Sequence, residues 1–458
     1  MTETFPAFTA ALDRRLRPDA ATPLAVGFSG GGDSLALLIL ALDWARAQGR
    51  AVVSLTVDHQ LNPASAAWTA RAVAKAGALG ARASALAWTG PKPASGLSAA
   101  ARAARHALLA DAARAAGARV LLLGHTEDDL AEAALMRAEG STVPDPREWS
   151  PSPAWPQGRG VFVLRPLLAV GRGEIRDWLA ARGETWLDDP ANEDPGSARA
   201  RARRRLSSPE ERGGTGEVAS CRRPPAPDAP SVTSPIGAAP PPPFHGGGEG
   251  YLTLPRDAPA AQVAAACLCA AGTSRPPRGE RLRRLVERIG RGETFTATLA
   301  GARIEAGDVV SFFREPGEAR RAPGPPPVGE VSAKPTEGGV VERPTSAPTD
   351  SSDHLPHGGR ALIPGQPLVW DGRYEITAAE PGLTVRPLQG LAARLPAAQR
   401  QVLQGLPAAA RPSLPAVLAP DGTVSCPILA EAKAARARCL VMDRFEAATG
   451  RVDQEPAT

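Results

Sequence analysis

Between Leu24 and Leu206, short apolar runs alternate with alanine-rich stretches whose apolar positions recur at helical spacing. Strands and helices alternating in this way predict a parallel sheet covered by helices, an α/β fold. Strands are predicted at Leu24–Phe28, Ala51–Val57, Ala81–Trp88 and Val120–Gly124, with helices at Leu35–Gln48, Ala64–Leu79 and Leu97–Ala116 between them. The first, second and fourth strands run directly into polar, motif-like residues. In open α/β sheets ligands bind beyond the carboxyl ends of strands, so chemistry is expected at those three ends.

The pattern fails between Ser207 and Gly250, where Pro, Gly, Ser and Arg dominate and Pro240–Pro243 is followed by Gly246–Gly248. Such a stretch cannot bury a core and is expected to be extended or disordered. A second one runs from about Pro316 to Gly359. Five regions are therefore predicted: an α/β domain over 1–206, an insertion over 207–250, a small α+β module over 251–315, a second insertion over 316–360 and a C-terminal domain over 361–458. Within the module the pattern predicts a helix at Ala260–Ala271, a basic helix at Arg278–Ile289 and a strand pair between Thr294 and Phe313. The last region is expected to open with a hairpin turning at Asp371-Gly372 and to close with an Ala/Arg helix from Ile428 to Ala437.

A chain of 458 residues exceeds what one hydrophobic core organises, which agrees with several domains. Its formal net charge is +5, and Arg outnumbers Lys, as suits recognition of phosphates by planar guanidinium forks. A genome favouring arginine codons would leave the same bias, and composition does not choose between the two. The five cysteines, Cys221, Cys267, Cys269, Cys426 and Cys439, form no CxxC pair and no zinc-like spacing, which fits a reducing cytoplasm. No run is apolar enough for a membrane span or a signal peptide, so a soluble cytoplasmic protein is expected.

The first predicted strand leads into Ser29-Gly30-Gly31-Gly32-Asp33-Ser34, and a helix follows without a break. Glycines let successive N–H groups face a phosphate, and the helix N-terminus adds partial positive charge. Ser29 and Ser34 can donate hydroxyl hydrogen bonds to the same oxygens. The loop lacks the Gly-Lys-Ser/Thr ending of a Walker A loop and is not a spaced GxGxxG. Asp33 is out of place beside a phosphate unless a divalent cation such as Mg²⁺ bridges the two; alternatively it caps the helix. Both readings stand at this point.

SGGGDS resembles the SGGxDS loop of the N-type ATP pyrophosphatases, the PP-loop family, which cleave ATP to AMP and pyrophosphate while adenylating an oxygen. Further motifs follow in order. Val57-Asp58-His59-Gln60-Leu61-Asn62-Pro63 is similar to the VDHxLxP element of tRNA(Ile)-lysidine synthases, and Ala101–His106 to their ARxxRY element, with His106 in place of the aromatic. Gly124–Glu132 is similar to GHxxDDQAET, departing at Leu130 and Ala133, and Arg165-Pro166-Leu167-Leu168, Glu174-Ile175, Trp178-Leu179 and Trp186–Asp194 match the remaining series. Arg199, Arg201 and Arg203–Arg205 stand where that family keeps an arginine-rich stretch. The likeness covers residues 22–206 strongly, 251–315 moderately and the rest weakly. Independently of it, residues 1–206 contain no cysteine, which disfavours sulfur transfer.

The resemblance implies an N-terminal catalytic domain of the parallel-sheet, adenine-nucleotide alpha-hydrolase kind, with smaller α+β modules behind it. It implies ATP bound by Ser29–Ser34 with Asp58 near the adenosine, and Mg²⁺ on Asp33. Arg102 and Arg105, three apart on one helix face, would stabilise the departing phosphates. Asp128, Asp129 and Glu132 would hold magnesium or bind and deprotonate a lysine amine. The partners implied are L-lysine and isoleucine tRNA with a CAU anticodon. Arg199, Arg201, Arg203, Arg283 and Arg284 are the candidates for gripping the RNA, the C-terminal domain is a further one, and a homodimer is left open.

Overall fold

The computed structural model of the chain describes residues 5–90, 92–141, 145–187, 198–207, 249–274, 276–319 and 359–457. The motif stretch 188–194, Cys221 and most of the two proline-rich stretches lie outside the described residues.

The N-terminal domain runs α1 (Pro6–Arg15), β1 (Leu24–Gly27), α2 (Gly32–Ala47), β2 (Val52–Asp58), α3 (Ser65–Ala78), β3 (Arg82–Ala87), α4 (Leu97–Ala115), β4 (Val120–Leu123), α5 (Glu127–Ala138), β5 (Trp149–Pro151), β6 (Phe162–Leu164), α6 (Arg172–Ala181) and α7 (Ala198–Ser207). Its sheet has the order β3-β2-β1-β4-β6-β5, parallel except for the edge strand β5. The four expected strands are all present, and β6 and β5 extend the sheet beyond them. Both faces are covered. Leu24 and Val26 of β1 pack with α1, α2 and α6, while Ala25, between them, joins Leu108, Leu109 and Ala113 of α4 on the other side. Side chains that alternate between two apolar layers explain why the strands read as continuous apolar runs rather than as an amphipathic alternation. After β3 the chain crosses to the far side of β1 to build β4, so the β1/β4 junction is the point where strand order reverses.

The middle module is β7 (Leu252–Leu254), α8 (Ala260–Ala271), α9 (Glu280–Gly290), β8 (Phe295–Leu299), β9 (Ala302–Ala306), β10 (Val310–Arg314) and the single turn α10 (Pro316–Ala319). Its antiparallel sheet has the order β7-β10-β9-β8, so the expected strand pair is three strands joined by a fourth from the start of the module. The C-terminal part contributes β11 (Arg360–Ala361), β12 (Pro367–Trp370), β13 (Tyr374–Ala378), β14 (Thr384–Pro387), α11 (Ala397–Gly405), β15 (Pro415–Leu418), β16 (Val424–Ser425), β17 (Ala435–Cys439) and α12 (Val441–Ala448), in two small sheets. The helix expected over Ile428–Ala437 is not formed. Ala435, Arg436, Ala437, Arg438 and Cys439 alternate with period two, burying Ala435 and exposing both arginines, and they pair with β13 as an edge strand. α12 crosses back, placing Val441 and Phe445 in the core of the middle module.

Two of the polar contacts that fasten the parts together are almost fully buried ion pairs. The Asp371-Gly372 turn has positive φ at both residues, +50° and +64°, as a two-residue hairpin between β12 and β13 requires. Asp371 pairs with Arg314 of β10 at 3.0 Å and with Arg373 at 2.7 Å, all three side chains at most 8 % exposed, and Trp155 of the N-terminal domain donates its indole N–H to the Gly372 carbonyl at 2.9 Å. The second contact joins the corner before β2 to the far end of the chain. Arg50 grips Glu455 through both guanidinium nitrogens, at 2.9 and 2.7 Å, and Thr22 donates to the same carboxylate at 2.8 Å. Side-chain exposure there is 2 % and 0 %, so this ion pair is dry and fully hydrogen-bonded.

Candidate active site

The glycine loop leaves β1 at the strand-order reversal and enters α2 directly, as its sequence requires. Helix α2 starts at Gly32 with Gly31 as its N-cap, so Asp33 lies inside the first turn and is not the capping residue. The serines stitch the loop instead. The Ser34 hydroxyl donates to the Gly31 carbonyl at 2.9 Å, accepts from the Ser29 amide at 3.2 Å and meets the Ser29 hydroxyl at 3.1 Å. The segment after α6 lies over the loop: Leu187 donates its N–H to the Gly30 carbonyl at 2.9 Å.

Glycine is demanded at two places here. Gly30 has φ +88°, and a Cβ there would lie 2.7 Å from Leu187 Cδ1; at Gly124, just past β4, a Cβ would lie 3.0 Å from the Asp33 carbonyl. Gly31 is different, since a Cβ there meets nothing closer than 3.6 Å. Gly30→Ala is expected to cost about 1–2 kcal/mol of stability through its left-handed backbone alone, before the contact with Leu187 is counted, and Gly31→Ala less, about 0.5 kcal/mol for a poorer N-cap. Thermal melts of the two variants check this, and equal melting temperatures would refute the assigned loop geometry.

At the end of β4, Thr126 and Asp129 form a reciprocal capping box that starts α5, with the Thr126 amide donating to Asp129 Oδ2 at 2.9 Å. Asp129 is thus committed to the helix start, a use the sequence reading did not foresee. Glu132, one turn on, is fully buried. It accepts from Arg172 Nη1 at 3.0 Å and from Arg203 Nε at 2.9 Å. Arg172 also donates from Nε to Asp33 Oδ2 at 3.0 Å, lies 3.6 Å from Asp129, and gives its backbone N–H to Asp128 Oδ2 at 2.7 Å. The glycine loop and the acidic helix therefore meet at one guanidinium. Burial pushes the Asp33 carboxyl above its usual pKa, and the charge of Arg172 opposes that rise. Burial likewise works against the charge of Arg172, but Asp33, Glu132 and Asp129 outweigh it, so the guanidinium is held more firmly protonated than usual.

A cationic group flanks this acidic one. Arg165 is buried, donates from Nε to His125 Nδ1 at 3.1 Å and is held by the Arg147 carbonyl at 2.7 Å. Its pKa is lowered to about 10 by burial and by the nearby charges of Arg102 and Arg105. His106 is pushed down to about 2 by burial and the same arginines, so it is a neutral packing residue in place of the aromatic. The donation from Arg165 fixes His125 as the tautomer bearing its proton on Nε2. Asp58 closes a turn by accepting from the Gln60 amide at 2.8 Å.

The structure thus unites Asp33, Asp128, Asp129 and Glu132, and sets Arg102 and Arg105 beside Arg165. Of the arginines proposed for RNA, Arg203 turns inward to Glu132, Arg201 is exposed, and Arg199 lies in α7 with its side chain outside the described residues. Arg283 and Arg284 stand 60 % and 72 % exposed on α9, both paired with Glu280 of the same helix. Arg172 and Arg165 were missed as site residues. Their only sequence signal is position: Arg165 opens the Arg-Pro-Leu-Leu run, and Arg172 sits at the start of the next helix. The two departures from the resemblance are packing changes, since Ala133 is 1 % exposed and Leu130 is half-buried. Among the described residues no group of three or more His, Cys, Asp or Glu could hold a metal ion, and no helix is long and apolar enough to cross a membrane.

A family model described as a PP-loop domain matches residues 6–210, the span that folds into the six-stranded sheet with its loop and acidic helix. Fold and loop together define a PP-loop, ATP-using enzyme domain. A curated tRNA(Ile)-lysidine synthase of Caulobacter vibrioides is 51% identical over 456 residues, 98% of this chain and 98% of that one. Proteins of the same name from Hyphomonas neptunium and Rhizobium meliloti are each 39% identical, over 304 and 196 residues; these spans cover 62% and 40% of this chain and 79% and 43% of theirs. The chain belongs to the tRNA(Ile)-lysidine synthase family.

Proposed function

We propose that this chain ligates lysine to C2 of the wobble cytidine in the CAU anticodon of isoleucine tRNA, consuming ATP and changing decoding from AUG to AUA. The observation that carries this reading is the meeting of the glycine loop and the acidic helix at the β1/β4 reversal, in a chain so similar end to end to a curated member of the family. In the first step the cytidine O2 attacks the α-phosphorus of ATP, an O–P bond forms and pyrophosphate leaves. In the second a lysine amine attacks C2, the C–O bond to AMP breaks and the amine proton passes to a base or to water. Loop amides and the Arg102/Arg105/Arg165 group would supply positive charge for the phosphates, while half-buried Asp128 is the carboxylate that would receive an ammonium and buried Glu132 serves behind it as the partner of Arg172 and Arg203.

Asp33 suits Mg²⁺, a hard cation that keeps several waters and takes one or two carboxylates beside substrate phosphates; it would neutralise developing charge on the pyrophosphate. With Arg172 on Oδ2, the Asp33 side chain is still 25 % exposed. Purified protein incubated with labelled lysine, ATP and unmodified tRNA is expected to place lysine in the RNA with one AMP released per lysine. AMP release without lysine in the RNA would defeat the reading.

RNA must also be held away from the anticodon, and the exposed basic face of α9 suits phosphates. Arg283→Ala and Arg284→Ala are each expected to weaken tRNA binding and to lower the slope of log affinity against log salt by about one. An unchanged slope in filter-binding titrations would remove α9 from the RNA surface.

A further inference from the structure

We propose that Arg172 is the positioning residue of the reaction, a strut that holds Asp33 of the glycine loop and Glu132 of α5 in one register. The proposal rests on the ligase reading above. Arg172 comes from a third element, α6, and its guanidinium spans the two carboxylates at 3.0 Å each through different nitrogens. Its own backbone N–H is tied to Asp128 at 2.7 Å, so the base of the side chain is fixed to the helix that its tip braces.

The placement is one that local structure opposes. Arg172 is the first residue of α6, where the helix dipole disfavours a cation, and its side chain is only 13 % exposed. Four carboxylates around it outweigh both costs, and their own repulsion would drive Asp33 and α5 apart without it. The two ends are not equivalent. Glu132 keeps a second arginine, Arg203 at 2.9 Å, whereas Arg172 makes the one ion pair found for Asp33 among the described residues, so loss of Arg172 should release the loop end first. A lysine could supply the charge but not a fork reaching two carboxylates on different elements. The strut matters to this chemistry because the phosphate is activated on the loop side and the amine is received on the helix side, and a misplacement of about 1 Å between them costs about a hundredfold in rate.

Arg172→Gln and Arg172→Lys in the full chain test the proposal. Arg172→Gln is expected to lower kcat for lysidine formation about a hundredfold with KM for ATP and lysine changed less than threefold, and Arg172→Lys to recover only part of the loss. Amide hydrogen exchange at Gly30–Ser34 should quicken at least about tenfold in Arg172→Gln, while the interior of α2 stays protected. Unchanged loop exchange, or a kcat within threefold of the parent while the melting temperature falls, overturns the proposal. A raised KM with unchanged kcat also overturns it, by making Arg172 a direct substrate contact. If the parent chain incorporates no lysine, the ligase reading fails, and the exchange measurement still decides the strut.

Discussion

Asp33→Asn is expected to lower AMP formation in the presence of tRNA and ATP by about 10²–10³-fold, the usual consequence of removing one group that stabilises charge in a transition state. The substitution preserves shape, and an amide oxygen can still accept from Arg172, which lies 3.0 Å away. The melting temperature should therefore move little, so the loss would report on the carboxylate's charge rather than on the loop's fold. Single-turnover measurement with labelled ATP separates this step from lysine transfer. Activity within about threefold of the parent would show that the loop amides alone handle the phosphates, and that the carboxylate serves only to anchor Arg172.

Asp371→Ala is expected to be the most damaging substitution for stability outside the apolar cores. It strips Arg314 and Arg373 of a shared carboxylate where their side chains are 4 % and 1 % exposed. Stranding a buried charge costs about 3–5 kcal/mol, and here two are stranded at once. Arg373 keeps the Ser413 and Gly250 carbonyls, at 2.7 and 3.2 Å, which offsets part of its loss. Because the turn touches all three parts of the molecule, melting should broaden or split, with the middle and C-terminal modules unfolding before the parallel sheet. Calorimetry would show this, and a single transition at the parent's temperature would deny the turn its joining role.

Much of the site was readable because the signals are local. A strand followed by Ser-Gly-Gly-Gly-Asp-Ser favours a tight turn into a helix, and the hydrogen bonds among Ser29, Gly31 and Ser34 that shape it are local. Glu132 was legible as an acid on the helix after β4 for the same reason. Arg172 was not, because nothing near it explains it; its partner Asp33 lies 139 positions away. Asp129 was read as a ligand-binding carboxylate because the capping box depends on an extended Thr126, a backbone state that residue types alone do not announce. The misread helix over Ile428–Ala437 shows the converse fault. Alanine and arginine favour helices on average, but pairing with β13 decided the matter, and the period-two alternation was the better guide.

The Arg50–Glu455 pair also sets a timetable. Its partners are 405 positions apart, so at about 5–20 residues per second a ribosome makes Glu455 roughly 20–80 s after Arg50. Every strand of the parallel sheet lies within residues 24–164 and can assemble during that wait. Until then Arg50 lacks its carboxylate, and burying the guanidinium alone would strand a charge, so the corner before β2 is expected to stay hydrated. The N-terminal domain can thus mature in two stages divided by synthesis itself, its sheet first and the corner at Arg50 only after β17 and α12 have been made.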